Sequence, residues 1–266
     1  MHHSWGGPDD DIREKNDRLF QACWDGLAED ALQALAEGAD PKAERSLALR
    51  TAAAGGEIEC MKLLIPISDP EANDSAALLE AARNGHAECV RLLLPESNAR
   101  AENSFALRAA AHEGHAECLR LLIPVSDATA LNSQALMWAA QRGLAECVRL
   151  LVSTEASEAR KSEALILAAW NGHVECVRVL MPVSRSLMRR KAPLRKAMEE
   201  GHAAAAAAMF EFAPELAGAI DLAREELVAE KKGHHELAAL LRSIAERREI
   251  QRALPKAKKG GAQVRL

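Results

Sequence analysis

Apolar and polar positions follow one recurring order along most of the chain. That order is a Leu, an Ala-Ala pair, a Gly, a Cys, another apolar residue and a Leu-Leu pair. From Gly56 to Gly201 the glycines of this pattern recur every 29 residues, and a fixed period of roughly 20 to 50 residues is typical of stacked-repeat proteins. Together with Gly26 and Gly233 outside this run, the pattern predicts eight repeats.

Each repeat is predicted to contain two helices. In the third repeat the first helix would begin at Ser75, whose side chain can cap its N-terminus, and would end at Gly85. The second helix would run from His86 to Pro95. Neither helix can bury its apolar face alone, so the helices must stack on those of adjacent repeats. The pattern therefore predicts an all-α fold stabilised by contacts between neighbouring repeats.

The residues that recur in the third repeat are specific enough to compare with known families. They read Leu78-x-x-Ala81-Ala82-x-x-Gly85-His86-x-Glu88-x-Val90-x-Leu92-Leu93. This series resembles the helical part of an ankyrin repeat, and Gly38-Ala39-Asp40-Pro41 resembles its typical ending. The resemblance covers about residues 17 to 245. It implies an ankyrin-like α-solenoid that binds another protein through the concave groove of its first helices.

The repeat departs from the ankyrin pattern in its linker, which is about four residues shorter. The Thr-Pro-Leu-His of the family appears only as variants such as Ala76-Ala77-Leu78-Leu79. We therefore expect the β-hairpin fingers of the family to be shortened or absent. Segments such as Ser68-Asp-Pro-Glu71 have the spacing of a capping box, which predicts a helical turn in the linker.

The repeats organise most of the chain into one domain. We expect a polar N-terminal segment at residues 1–15, a single ankyrin-repeat solenoid domain at residues 16–250, and a basic, disordered tail at residues 251–266. The first and last repeats, about residues 16–45 and 216–250, differ from the others. We predict that they are capping repeats that cover apolar surface.

Composition agrees with helices packed through small side chains. The chain is 48% hydrophobic and only 3% aromatic, so Ala and Leu must build the core. Its net charge of −5 is uneven, with 12 Lys+Arg against 23 Asp+Glu in residues 1–133 and 22 against 16 in residues 134–266. Such an asymmetry orients charged partners. The sequence contains neither a membrane-spanning stretch nor a signal-peptide core, and we expect a monomeric, cytoplasmic protein.

The columns of Cys and His in the repeat are explained by packing. Equivalent residues of stacked helices lie roughly 8–10 Å apart, which is too far for shared zinc coordination or for a disulfide. We predict buried thiols in a reducing compartment and His side chains that bond to neighbouring loops. No phosphate loop, nucleophile elbow or His-Glu-x-x-His motif is present, so we expect no catalytic, cofactor or metal site and no enzyme. The columns are Cys60, Cys89, Cys118, Cys147 and Cys176, and His86, His115, His173 and His202.

Partner-binding residues are expected where the sequence varies over this constant scaffold. By the family resemblance, the two residues before each Gly lie at the exposed end of the first helix, and Glu80 and Trp138, one turn earlier, share that face. Trp and Arg are enriched at binding hot spots. A second interpretation is that Trp138 and Trp170 only fill gaps between neighbouring first helices. The predicted partner-binding residues are Glu80, Arg83, Asn84, His112, Glu113, Trp138, Gln141, Arg142, Trp170 and Asn171.

A second function stays open at this point. The C-terminal third of the chain is basic, and it could bind nucleic acid or an anionic surface electrostatically. Aromatic residues do not alternate with these cations, which disfavours a nucleic-acid partner. The basic cluster consists of Arg185, Arg189, Arg190, Lys191, Arg195 and Lys196, together with Lys231, Lys232 and the tail.

Overall fold

Eight pairs of α-helices make up the part of the chain that the structure describes, which confirms the predicted number of repeats. This computed structural model describes residues 8–154, 156–184 and 187–253, with backbone alone at residues 8–10, 187–190 and 253. Most of the predicted tail lies outside those residues. The helices are α1 (Pro8–Trp24), α2 (Ala28–Ala36), α3 (Ala43–Gly55), α4 (Ile58–Leu64), α5 (Ala72–Asn84), α6 (Ala87–Leu93), α7 (Ala101–Glu113), α8 (Ala116–Leu122), α9 (Ala130–Gln141), α10 (Ala145–Val152), α11 (Glu158–Trp170), α12 (Val174–Leu180), α13 (Leu187–Glu199), α14 (Ala203–Phe212), α15 (Leu222–Lys231) and α16 (His235–Ala253).

The chain divides into two compact units, Met1–Ala164 and Leu165–Leu266. In the N-terminal unit the first helices α3, α5, α7 and α9 pack side by side, and the second helices α2, α4, α6, α8 and α10 pack in a parallel row. In the C-terminal unit α12, α14 and α16 contact one another in sequence. Each unit is therefore a stack of helix pairs, as the repeat predicted. None of the described helices is both long and apolar enough to cross a bilayer.

The recurring apolar positions form the core. In the third repeat Leu78, Ala81, Ala82 and Leu93 have no exposed surface, and the same positions are buried in the repeats on either side. Ala lets the first helices approach closely, while Leu fills the space between the two helix rows. All six Cys are buried, as predicted for small apolar packing residues. Burial raises the pKa of Cys89 to about 11, so this thiol stays protonated at neutral pH.

Most first helices are followed by a Gly that lies close to a side chain of the next repeat. Gly85 adopts the left-handed conformation with a φ of +82°, and the His86 amide donates to the Ala81 carbonyl 2.9 Å away. A Cβ at Gly85 would lie only 2.5 Å from Nδ1 of His115 in the following repeat. His86 Nε2 also donates to the Ala54 carbonyl at 3.0 Å, and His202 Nε2 donates to the Trp170 carbonyl at 2.9 Å. These two His side chains therefore join neighbouring repeats as predicted, but they bond to the last turn of the preceding first helix and not to a loop.

The linkers contain a left-handed turn instead of strands. In the second to fifth repeats the second, third and fourth residues within the bounds of the first helix have φ near +50° to +60°, among them Asn73, Asp74 and Ser75. The described residues include no strand, so within them the β-hairpin fingers are absent. Left-handed runs cost roughly 1–2 kcal/mol per residue for non-glycine residues, and they persist only where surrounding contacts hold them.

The Ser that ends each left-handed turn joins one repeat to the next. Ser46 Oγ accepts a hydrogen bond of 2.9 Å from the Asp69 amide, and Ser75 Oγ accepts one of the same length from the Asn98 amide. The Ser therefore does not cap its own helix, contrary to the sequence prediction, because its hydroxyl is committed to the following linker. The predicted capping box is also wrong in detail. The Glu71 amide bonds to Asp69 Oδ1 at 3.1 Å, while Ser68 Oγ donates to the Pro41 carbonyl at 3.2 Å.

At Asp74 the left-handed turn predicts that a Gly variant is more stable than an Ala variant, the reverse of the order inside an α-helix. Asp74 is exposed and has a φ of +57°. We expect Asp74→Gly to be more stable than Asp74→Ala by about 1–2 kcal/mol, because only Gly adopts this conformation without steric cost. At the exposed Lys62 of α4, Ala should instead be more stable than Gly by about 1 kcal/mol. Chemical denaturation of the four variants measures both differences. The same order at both positions would contradict the left-handed turn.

The contact between Gly85 and His115 predicts a second stability difference. We expect Gly85→Ala to lower the free energy of unfolding by more than the roughly 1–2 kcal/mol of a left-handed Ala, because the new Cβ would also displace the His115 ring. Gly38 is the matched control, since its φ is +100° and a Cβ there would meet nothing within 4 Å. Urea denaturation compares the two. Equal losses would show that the imidazole contact does not contribute.

Candidate functional site

Two neighbouring first helices bring the predicted residues of the fourth and fifth repeats together. His112 and Glu113 end α7, Trp138 lies on α9, and Arg142 directly follows α9. The His112 and Trp138 rings meet edge to face, with centroids 5.2 Å apart and an interplanar angle of 75°, an arrangement that aromatic pairs prefer. Four of the predicted partner-binding residues are therefore clustered on this face.

An exposed polar network orients these side chains. Glu113 Oε1 lies 2.7 Å from His112 Nδ1, and Arg142 Nη2 lies 3.5 Å from Glu113 Oε2. The hydrogen bond from His112 is the largest cause of a lowered pKa at Glu113, which keeps this carboxylate ionised. Exposed ion pairs contribute little to stability because solvent screens them. The network therefore holds the Arg142 guanidinium in place at the surface without being needed for folding.

Arg108 is the one site residue that is buried, with 8% of its surface exposed. Its Nε donates to the Asn103 carbonyl at 3.1 Å and its Nη2 to the Glu102 carbonyl at 2.9 Å. Its Nη1 donates to Oε1 of Gln134 in the next repeat. Arg108 thus binds the left-handed turn of its own repeat to the neighbouring helix. These bonds satisfy the guanidinium, as burial of a charge requires.

Arg and aromatic side chains alternate in a row across neighbouring first helices. The Arg108 guanidinium lies 4.9 Å from the Phe105 ring centroid and 5.9 Å from that of Trp138. On the other side, Arg83 lies 5.9 Å from the Phe105 centroid and pairs with Glu80 at 3.4 Å. We call this row the Arg–aromatic surface. It consists of Arg83, Phe105, Arg108, His112, Trp138 and Arg142.

Sequence reasoning missed Phe105 and Arg108. A signal was present, because Arg108 holds the position that Leu79 and Met137 hold in the adjacent repeats. A charged residue between two repeats that both have an apolar residue at that position requires a specific set of partners. Phe105 similarly replaces the small Ala76. Comparing equivalent positions for polarity and size, rather than only the residues before each Gly, would have found both.

Other predicted residues have packing contacts. Asn84 Nδ2 donates to the Ala54 carbonyl at 3.1 Å, the same oxygen that His86 uses. Asn84 therefore helps to join its repeat to the preceding one. Gln141 is exposed next to Arg142. For both residues a role in partner binding stays a prediction.

Trp170 and Asn171 belong to the C-terminal compact unit. The Trp170 side chain is 48% exposed, and Lys196 Nζ lies 5.7 Å from its ring centroid. Asn171 Nδ2 donates to the Leu167 carbonyl at 2.8 Å, at the end of α11. Trp138 is half-buried while Trp170 is exposed, so the gap-filling interpretation suits Trp138 better than Trp170.

The basic cluster of this unit is partly engaged by its surroundings. Lys196 pairs with Glu199 at 2.7 Å, and Lys232 Nζ donates to the Glu199 carbonyl at 2.9 Å. Arg185 lies outside the described residues, as do the side chains of Arg189 and Arg190. Binding of nucleic acid or an anionic surface by this cluster stays a prediction.

Comparisons with known proteins agree with the repeat architecture. The family described as ankyrin repeats (3 copies) matches residues 19–104 and 95–162. Among solved structures 79 chains match. One is the crystal structure of the human ASB11 ankyrin repeat domain, with a TM-score of 0.63 and 24% identity over 73% of this chain and 96% of that chain. That likeness shows the fold alone. No curated protein matches the chain.

The hydrogen bonds of Arg108 predict an unequal response to the same substitution at two equivalent positions. Arg50 holds the Arg108 position two repeats earlier, but its Nε is buried and has no partner among the described residues. We expect Arg108→Met to lower the free energy of unfolding by about 1.5–3 kcal/mol. Arg50→Met should leave it unchanged or raise it, because an unsatisfied donor is removed. Urea denaturation measures both, and equal losses would contradict this account.

Proposed function

The chain belongs to the ankyrin-repeat family, and from that premise we propose that it is a non-catalytic scaffold that binds a partner protein through the Arg–aromatic surface. Ankyrin repeats are general protein-interaction modules. One observation supports this location above others. Aromatic and Arg side chains, the types enriched at binding hot spots, form a continuous row on first helices whose remaining positions repeat with little change.

The contacts within the row hold its side chains in place, which favours binding to the surface of another protein. Trp138 and Phe105 offer rigid apolar area, and loss of side-chain freedom on binding is small because neighbouring guanidinium and imidazole groups already hold them. Arg83 and Arg142 stand at the two sides as partly exposed cations, each beside a Glu. Preorganised anchors flanked by charge pairs are the arrangement expected of a protein interface.

The cysteine content supports the compartment that we propose. Six buried thiols without a disulfide suit a reducing environment such as the cytoplasm. We also propose that the protein acts as a monomer, with the Arg–aromatic surface left free for the partner.

A crosslinking pull-down with paired variants tests the proposed surface. We expect the double variant His112→Ala, Arg142→Ala to reduce capture of the true partner from a lysate of the source cells by at least about tenfold, since a hot spot contributes 2 kcal/mol or more. The matched control is Arg91→Ala. Arg91 is 63% exposed and paired with Glu88 on the second helix α6, away from the row.

The captured protein is then identified by mass spectrometry and its affinity for the purified chain and variants is measured directly. Trp170→Ala, tested separately, reports whether the C-terminal compact unit takes part. If every captured protein is retained equally by the double variant and by Arg91→Ala, the Arg–aromatic surface is not the binding site.

A further inference from the structure

The last repeat leaves two adjacent apolar side chains exposed on its first helix. Leu227 and Val228 of α15 are 51% and 39% exposed. Val228 stands five residues before the Gly of its repeat, as Glu80 and Trp138 do before theirs. The repeat therefore places Val228 on the face of the first helix that carries those residues in the N-terminal compact unit.

The position of this pair in the last repeat does not by itself explain its exposure. The positions that a further repeat would cover are charged there, because Glu226 and Glu230 replace the buried Leu78 and Ala82 of the third repeat. Both carboxylates pair with Arg242 of α16, each at 2.7 Å. The stack thus ends in ion pairs, as a capping repeat requires. Single exposed apolar residues need no explanation, whereas adjacent ones beside a polar rim indicate a site of interaction.

Cations surround this apolar pair. Lys232 Nζ donates to the Glu199 carbonyl at 2.9 Å, so the end of α15 lies against the end of α13. Lys196 bonds to the Glu199 carboxylate at 2.7 Å, and this bond is the largest cause of a lowered pKa there, to which the charges of Arg195 and Lys232 also contribute. Several cations therefore share one carboxylate. The net charge at these helix ends is +2, from Arg195, Lys196, Lys231 and Lys232 against Glu199 and Glu200.

Trp170 extends the same surface into the sixth repeat. Its ring is exposed, and Lys196 Nζ lies 5.7 Å from the ring centroid. Equivalent positions on adjacent packed helices are roughly 8–10 Å apart, so the row from α11 to α15 measures roughly 16–20 Å. An extended segment of about six residues covers that length. We call this row the basic–apolar surface, and it consists of Trp170, Lys196, Leu227, Val228, Lys231 and Lys232.

The chemistry of the row suits an acidic polypeptide better than a polynucleotide. A phosphate backbone requires a continuous track of cations, and bases gain from stacking on successive aromatic rings. Here Glu199 and Glu200 interrupt the cations. Leu227 and Val228 offer nothing to a phosphate, but they would stabilise an apolar side chain of a peptide by burial. The chain's own residues 254–266 contain Lys and Arg but neither Asp nor Glu, so charge disfavours them as the occupant.

We propose that the basic–apolar surface is a second interaction surface, which binds an extended acidic segment of another protein that also carries Leu, Ile, Met or Phe. The apolar side chains of the segment would lie on Leu227, Val228 and the Trp170 ring. Its carboxylates would pair with Lys196 and Lys231. The Arg–aromatic surface belongs to the other compact unit, so the segment would bind without contacts to Arg142 or His112.

A selection of peptides on the unsubstituted full chain tests this chemistry. Random peptides displayed on phage are selected against the chain, and the enriched peptides are synthesised and titrated by fluorescence anisotropy. We expect Asp and Glu interspersed with Leu, Ile, Met or Phe in the enriched peptides. Such a peptide should bind the double variant Leu227→Ser, Val228→Ser at least about tenfold more weakly, because the variant removes the apolar area that the peptide buries.

Matched variants of the other compact unit control for nonspecific effects. Leu32→Ser should leave the affinity unchanged, because Leu32 of α2 is 55% exposed but lies outside the basic–apolar surface. Lys231→Glu should weaken binding of the same peptides, whereas Lys62→Glu on α4 should not. Added salt should weaken binding to the unsubstituted chain, because salt screens exposed charges.

Four outcomes would overturn the proposal. Two are that no enriched peptide depends on Leu227 and Val228, or that those that do have no excess of Asp and Glu. The third is binding of a single-stranded oligothymidylate that Lys231→Glu weakens and the double Ser variant does not, which would assign the surface to nucleic acid. The fourth is a dimer in sedimentation that the double Ser variant abolishes, which would assign it to a second copy.

The same peptides separate this surface from the proposed function. Peptides that lose affinity for the His112→Ala, Arg142→Ala variant, and not for the double Ser variant, report on the Arg–aromatic surface alone. Failure at one surface therefore leaves the result at the other unaffected.

Discussion

The hydrogen bond between the Ser at the end of each left-handed turn and the next linker is the interaction on which the N-terminal compact unit depends. The Ser46, Ser75 and Ser104 hydroxyls each accept from a main-chain amide 23 residues later, at 2.8–2.9 Å. The turn is strained, and the bond that satisfies the amide is also the contact that holds the turn. Because the same atoms meet in these three successive repeats, the bond fixes the length of the repeat there. A hairpin finger inserted between Ser and linker would separate them.

The sequence could predict the parts of the fold that follow from periodicity. Eight helix pairs, the Gly at the end of each first helix and the burial of the Leu, Ala and Cys positions all follow from a constant spacing and from which side chains can be buried. The left-handed turn could not be predicted in this way. Asn73 tolerates that conformation, but Glu44 and Leu131 adopt it as well, and no local preference favours it in them. Only the contact with the neighbouring repeat selects it, which is why Ser75 was assigned to the wrong partner.

The candidate site also has a part that the repeat predicts and a part that depends on contacts between particular side chains. Residues before each Gly could be predicted to lie at exposed helix ends, because that position is fixed by the repeat. Which of them cluster depends on side chains that differ between neighbours. His112 meets Trp138, whereas Asn84 turns back to the Ala54 carbonyl and joins two repeats. Arg108 joins the two parts, because it donates to two carbonyls of the left-handed turn and its guanidinium also contacts the Phe105 and Trp138 rings. The surface is therefore coupled to the linker through one buried guanidinium.

Stacked repeats allow such a surface to change locally, since each repeat contacts only its neighbours. The pair formed by Arg108 and Gln134 closes the space between two first helices, while the equivalent Arg50 and Ala76 leave it open. The residue at this one position therefore differs between a long polar side chain that bonds across two first helices and a small Ala beside a cavity. Because the described linkers have no hairpin fingers, the side chains that vary between repeats in this structure are those of the first helices.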